Sequence, residues 1–132
     1  MKKIKMLFLV LVSLLVLPLG VFAEGEDEET VSNETSKKVN VYFFRGDGCP
    51  HCAEAEEWFE SINEELGDKY ELKDYEVWNN QDNSELMQKV AAARQESEEA
   101  TGVPYIIIGD KSWIGFDQSY TGEIKEQINT VY

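Results

Sequence analysis

Two cysteines, Cys49 and Cys52, stand at the junction of a short apolar run and an amphipathic segment, and no other feature constrains the chain as much. Val39, Val41, Tyr42, Phe43 and Phe44 are β-branched or aromatic, the composition of a buried strand, and Arg45-Gly46-Asp47-Gly48 stops that strand in a glycine loop. From Cys49 onward Ala55, Trp58, Phe59, Ile62 and Leu66 recur at spacings of three and four, which gives a helix one apolar face, and Gly67 offers a stop. Pro50 falls in the first helical turn, where a missing N–H costs nothing. The cysteine pair therefore sits where a strand hands over to a helix N-terminus.

The later elements follow from the same patterns. Tyr70 to Trp78 reads as a second strand; its alternation slips between Leu72 and Tyr75, so no face is assigned as buried. Asp82-Asn83-Ser84-Glu85 supplies capping residues for a helix that turns Leu86, Val90 and Ala93 inward and reaches about Glu99. Thr101-Gly102-Val103-Pro104 precedes a third strand, Tyr105 to Ile108. Gly109 to Ser112 reads as a turn, Trp113 to Phe116 as a fourth strand, and Ile124, Ile128 and Val131 mark a final helix. A helical crossover makes the first two strands parallel, and the tight turn makes the last two an antiparallel hairpin. The expected fold class is α/β, a four-stranded mixed sheet flanked by three helices.

Only part of the 132 residues belongs to that unit. Met1 to Lys5 carries three lysines and Met6 to Leu17 is apolar apart from Ser13, the layout of a secretory leader, with Val21-Phe22-Ala23 as the cleavage site. The 18 residues from Met6 to Ala23 are also just long enough for an uncleaved anchor, although Pro18 and Gly20 interrupt them. Either reading places the remainder outside the cytoplasm, as a secreted or membrane-associated protein, and the short leader with a minimal domain points to a bacterial source. Residues 24 to 37 are read as an acidic flexible linker, and 38 to 132 as the folded domain. Twelve basic against 26 acidic residues, a formal charge of −14, argue against a nucleic-acid partner.

The element order, the Cys-Pro-His-Cys run at the first strand-to-helix turn and the Val103-Pro104 pair before the third strand resemble the thioredoxin superfamily over essentially all of Lys38 to Tyr132. The compact Val103 to Asp117 stretch is closest to the glutaredoxin-like branch, and His51 between the cysteines is similar to DsbA-like extracytoplasmic oxidants. The resemblance implies a thiol-disulfide oxidoreductase without metal or organic cofactor. It acts as a monomer on protein or small-molecule disulfides and thiols, with a membrane protein or thiol carrier as redox partner. It assigns Cys49 as nucleophile and Cys52 as resolving cysteine, which agrees with the chemistry: exchange needs an attacking thiolate and a second thiol within reach. Pro50 and His51 complete the catalytic set, His51 and the helix dipole favouring the Cys49 thiolate while Glu54, Glu56 and Glu57 oppose it. The resemblance further implies a cis Val103-Pro104 bond facing the cysteines, with Val103, Pro104 and Tyr105 lining the substrate groove. No lid-sized insertion fits in the chain, so that groove alone selects substrate.

One departure stands out. Phe43 occupies the position, six residues before the first cysteine, where thioredoxins bury an acid; Cys52 then needs another route for its proton, through Glu57, Lys73 or water. Trp58, Trp78 and Trp113 are expected as core or rim aromatics. Two other readings of the C-x-x-C stay open: a redox-inert module that holds extended peptides, and a Cu(I) or zinc site built from the two thiolates.

Overall fold

The computed structural model describes residues 37–132. The leader and nearly all of the acidic linker read from the sequence lie outside the described residues. The elements are β1 (Val39–Arg45), α1 (Pro50–Leu66), β2 (Tyr70–Glu76), α2 (Gln81–Ala93), β3 (Tyr105–Ile108), β4 (Lys111–Ile114), a 3-10 turn (Gln118–Tyr120) and α3 (Thr121–Val131). They form one sheet in the order β2-β1-β3-β4. β1 and β2 are parallel, Val39 opposite Tyr70, while β1 with β3 and β3 with β4 are antiparallel. The α/β architecture is thus the four-stranded mixed sheet with three helices that the sequence implies.

Alternation along the strands sorts the core into two layers. Val39, Val41 and Phe43 face the side where Ala55, Phe59, Ile62 and Leu66 of α1 pack with Ile124 and Ile128 of α3. Phe44, Tyr105 and Ile107 face the other side, against Met87 and Ala91 of α2. Phe59 is the hub of the first layer, its ring 6.0 Å from Phe43, 4.9 Å from Trp58 and 5.9 Å from Tyr70. Its carbonyl also accepts the Tyr70 hydroxyl at 2.8 Å.

Several boundaries differ from the sequence reading. β2 ends at Glu76, short of Trp78, because the Glu76 carboxylate turns back to accept the N–H groups of Trp78 and Asn79 at 2.7 and 2.9 Å. Asn80, not the Asp82 to Glu85 segment, caps α2 through the Asn83 N–H. α2 also stops at Ala93 and not near Glu99. Gln95 adopts φ 61°, and the N–H groups of Gln95 and Glu96 fold back onto the carbonyls of Ala92 and Ala91, a left-handed helix ending normally signalled by glycine. The buried face of α2 is Met87 and Ala91 with Val90 half-buried, whereas Leu86 and Ala93 are exposed, a rotation of about one residue. β4 begins at Lys111 because the hairpin turn is only Gly109-Asp110, with Gly109 at φ 59°. In α3 Val131 lies on the surface while Gln127 is buried, its amide bonded to the Ile108 carbonyl and to Asp110.

Candidate active site

The antiparallel β1–β3 pair brings the two sequence motifs together. Phe44 lies opposite Tyr105, so the loop that follows β1 must run beside the residues that precede β3. Cys49 ends that loop as the N-cap of α1, in extended backbone, with Pro50 at the first helical position. Its N–H donates to the Gly46 carbonyl at 3.1 Å. Gly48 adopts φ 79°, a conformation that costs a side-chain-bearing residue and lets the loop turn into the helix.

Cys49 and Cys52 form a disulfide, their Cα atoms 5.2 Å apart. Both are buried, Cys49 at 6% and Cys52 at 2% exposure. The Cys52 N–H donates to Cys49 Sγ at 3.2 Å. A helix N-terminus directs further partial positive charge at the same atom. His51 is exposed, with Nδ1 3.6 Å from the Glu54 carboxylate. Phe43, at the position of the missing acid, is fully buried in the apolar layer. Glu57 is exposed, and Lys73 pairs with Glu71 at 2.6 Å.

Across from the disulfide, the Val103–Pro104 bond is cis and the Val103 carbonyl oxygen lies 3.8 Å from Cys49 Sγ. Val103 is half-buried, and its N–H has no hydrogen-bond partner among the described residues. The Pro104 carbonyl is already committed to the Gly115 N–H at 2.8 Å. Tyr105 does not line a groove, contrary to the sequence expectation. Its side chain is fully buried beneath α2, stacked on Phe44, because strand alternation after Pro104 turns it inward.

Three features of the site escaped the sequence reading. Arg45, at the end of β1, gathers Asp47 at 2.6 Å, Glu56 at 2.9 Å and Asp74 at 2.8 Å, which fastens the cysteine loop to α1 and β2 and raises its already high pKa. Trp78, 58% exposed, lies against Gly46 so closely that any Cβ there would fall inside the indole. It opens a cavity of about 550 Å³ that runs past Met87, Thr101 and Gly102 to Val103. Finally, Glu96 accepts hydrogen bonds from the Tyr105 hydroxyl (2.5 Å), Ser112 (3.0 Å) and Arg94 (3.1 Å), tying the segment before Val103 to the β3–β4 hairpin. Trp58 is half-buried at the core edge beside Phe116, and Trp113 is buried.

That last knot sets an alkaline limit. Burial, and then the hydrogen bond to the Glu96 carboxylate, push the Tyr105 hydroxyl up to about 12. A raised pKa contributes stability that is whole below the unfolded value, about 10 for tyrosine, and is lost as pH rises through the folded one. Tyr105→Phe should cost about 1–3 kcal/mol at pH 7 by removing the donor from Glu96. In denaturant titrations the gap between wild type and variant should shrink between about pH 10 and 12; a gap constant over that window would refute the assignment. Burial works to raise the Glu96 carboxyl, but its three donors outweigh it and leave the pKa lowered, so its own contribution disappears only as the solution is acidified.

Among the described residues no group of three or more His, Cys, Asp and Glu side chains converges as metal ligands would. No family model matches the chain, and no curated protein sequence matches it. Among solved structures, the glutaredoxin (grx-1) of Archaeoglobus fulgidus is similar at 18% identity and TM-score 0.49, over 73% of this chain and 92% of that one. A putative thiol:disulfide interchange protein DsbE from Chlorobium tepidum superposes with TM-score 0.51 at 12% identity, over 74% of this chain and 82% of that one. Together with the β2-β1-β3-β4 order and the strand-to-helix position of the cysteine pair, that superposition makes the domain a thioredoxin-like fold.

Proposed function

We propose that the protein is a thiol-disulfide oxidoreductase that works outside the cytoplasm through the Cys49–Cys52 pair. The observation that carries this reading is the placement of Cys49 at the N-cap of α1, bonded to Cys52 and facing the Val103 backbone. The thiolate of reduced Cys49 attacks a partner disulfide; one partner sulfur leaves as a thiolate that takes its proton from water, and the other stays bound to Cys49. Cys52, deprotonated by water, then attacks Cys49 Sγ, releases the second partner thiolate and closes the Cys49–Cys52 bond. Two electrons pass from protein to partner, and the reverse sequence oxidises a dithiol. The fold shared with a protein described as a thiol:disulfide interchange protein supports this chemistry, and the basic-then-apolar leader supports export. Reduction of insulin disulfides, and reoxidation of a reduced protein, should both fall to the uncatalysed rate in Cys49→Ser; wild-type and variant rates that coincide would favour a redox-inert peptide-binding module.

A further inference from the structure

The charges around the disulfide narrow its partners. Asp47 follows β1 with its side chain 59% exposed, and Glu54 in the first turns of α1 is 57% exposed. Asp117, exposed, directly follows Phe116, which packs in the same apolar cluster as Cys49 and Cys52. Of the basic groups beside them, Arg45 is surrounded by Asp47, Glu56 and Asp74, and His51 Nδ1 lies 3.6 Å from the Glu54 carboxylate. Of the described lysines, Lys38 bonds to Gly67, Lys69 to Asn129, Lys73 to Glu71, Lys111 to Glu123 and Lys125 to Glu65, and the remaining two, Lys37 and Lys89, do not line the cavity beside Val103. The cavity leading away from Val103 is lined by Val77, Trp78, Met87, Thr101 and Gly102 among others, and not one lining side chain is ionisable.

Resting on the redox reading of this site, we infer that the preferred partner is a disulfide on an extended, positively charged polypeptide segment, and that anionic low-molecular-weight disulfides are disfavoured. The Val103 N–H, without a partner among the described residues, and its carbonyl beside Cys49 give an extended backbone something to pair with. The uncharged cavity takes an apolar side chain beside the cystine. Lysine or arginine flanking it meets Asp47, Glu54 and Asp117, whereas the carboxylates of a small acidic disulfide meet those same groups, and no guanidinium or ammonium lines the adjoining cavity.

The test uses reduced full-length protein and three peptides of equal length. Each carries one cysteine as a mixed disulfide with 2-mercaptoethanol, flanked by lysine, serine or glutamate; glutathione disulfide is a fourth probe. Cys49 attacks the peptide sulfur and expels 2-mercaptoethanol, after which Cys52 releases the peptide thiol. Every rate is divided by the rate of dithiothreitol with the same probe, which removes intrinsic reactivity. At low ionic strength the lysine peptide should exceed the glutamate peptide by about tenfold or more, with glutathione disulfide slower than the serine peptide. The lysine preference should fall severalfold in 1 M salt, where the screening length is about 3 Å, and in the double variant Glu54→Gln/Asp117→Asn. Equal normalised rates, a preference for glutamate or glutathione, or a lysine preference untouched by salt and by the double variant overturns the inference and leaves the redox reading standing. Absence of exchange with all four probes overturns both.

Discussion

Cys52→Ser should turn the protein into a trap: Cys49 still attacks, but the mixed disulfide cannot be resolved from within. In the wild type the resolving sulfur belongs to a residue whose Cα is 5.2 Å from that of its partner, on the same turn of helix. An oriented intramolecular nucleophile acts as though present at about 10⁵–10⁸ M. A millimolar external thiol replaces it poorly, so release of the product should slow by about 10³-fold or more. Non-reducing electrophoresis with a reduced variant and a disulfide-bonded substrate should show a covalent adduct that persists until dithiothreitol is added. A variant that turns over like wild type would mean Cys52 is not the resolving residue. Because Cys52 is buried among apolar side chains and serine is close to it in size, the fold should survive the exchange.

The largest loss of stability is expected from Phe59→Ala. The ring is 1% exposed and touches three other aromatics from three different elements or turns, so its removal opens a void that no flexible neighbour fills. Truncating a buried phenylalanine costs about 3–5 kcal/mol, a large share of the roughly 5–15 kcal/mol that holds such a domain together. Chemical denaturation should show the midpoint falling with little change in slope, and the Trp58 emission, next to the void, should shift in the native state. A cost under about 1 kcal/mol would mean that the α1 layer repacks.

The junction around Cys49 was legible because independent local signals coincide there: a β-branched run, glycines, a proline suited to the first helical turn and a 3.6-residue apolar period. Where one local signal stood alone, reading failed. Leu86, Val90 and Ala93 fit a helical stripe as well as Met87 and Ala91 do, and only docking against Phe44 and Ile107 decides between them. The end of α2 carries no glycine. It is set by Gln95 in a left-handed conformation and by Arg94, whose guanidinium reaches the carbonyls of Gly109 and Asp110, contacts far along the chain. Tyr105 looked like a groove residue because it follows Pro104, yet its direction is decided by the pleat of β3. Nothing near Gly46 announces Trp78, 32 residues away. Cys49 and Cys52 were singled out because disulfide exchange needs two thiols within reach of each other, and Val103 because the resemblance to the thioredoxin superfamily implies it.

Among the described residues the sheet closes on neither side, and its two outer strands bear on how the protein behaves when crowded. An outer strand offers its backbone to any other strand, including that of a second copy. β2 carries Glu71, Lys73, Asp74 and Glu76, and β4 is only four residues long with Lys111 at its start. Stacking two β2 strands edge to edge sets carboxylates against carboxylates, and β4 is too short to hold a long ladder. Strand-by-strand polymerisation is therefore opposed at both margins.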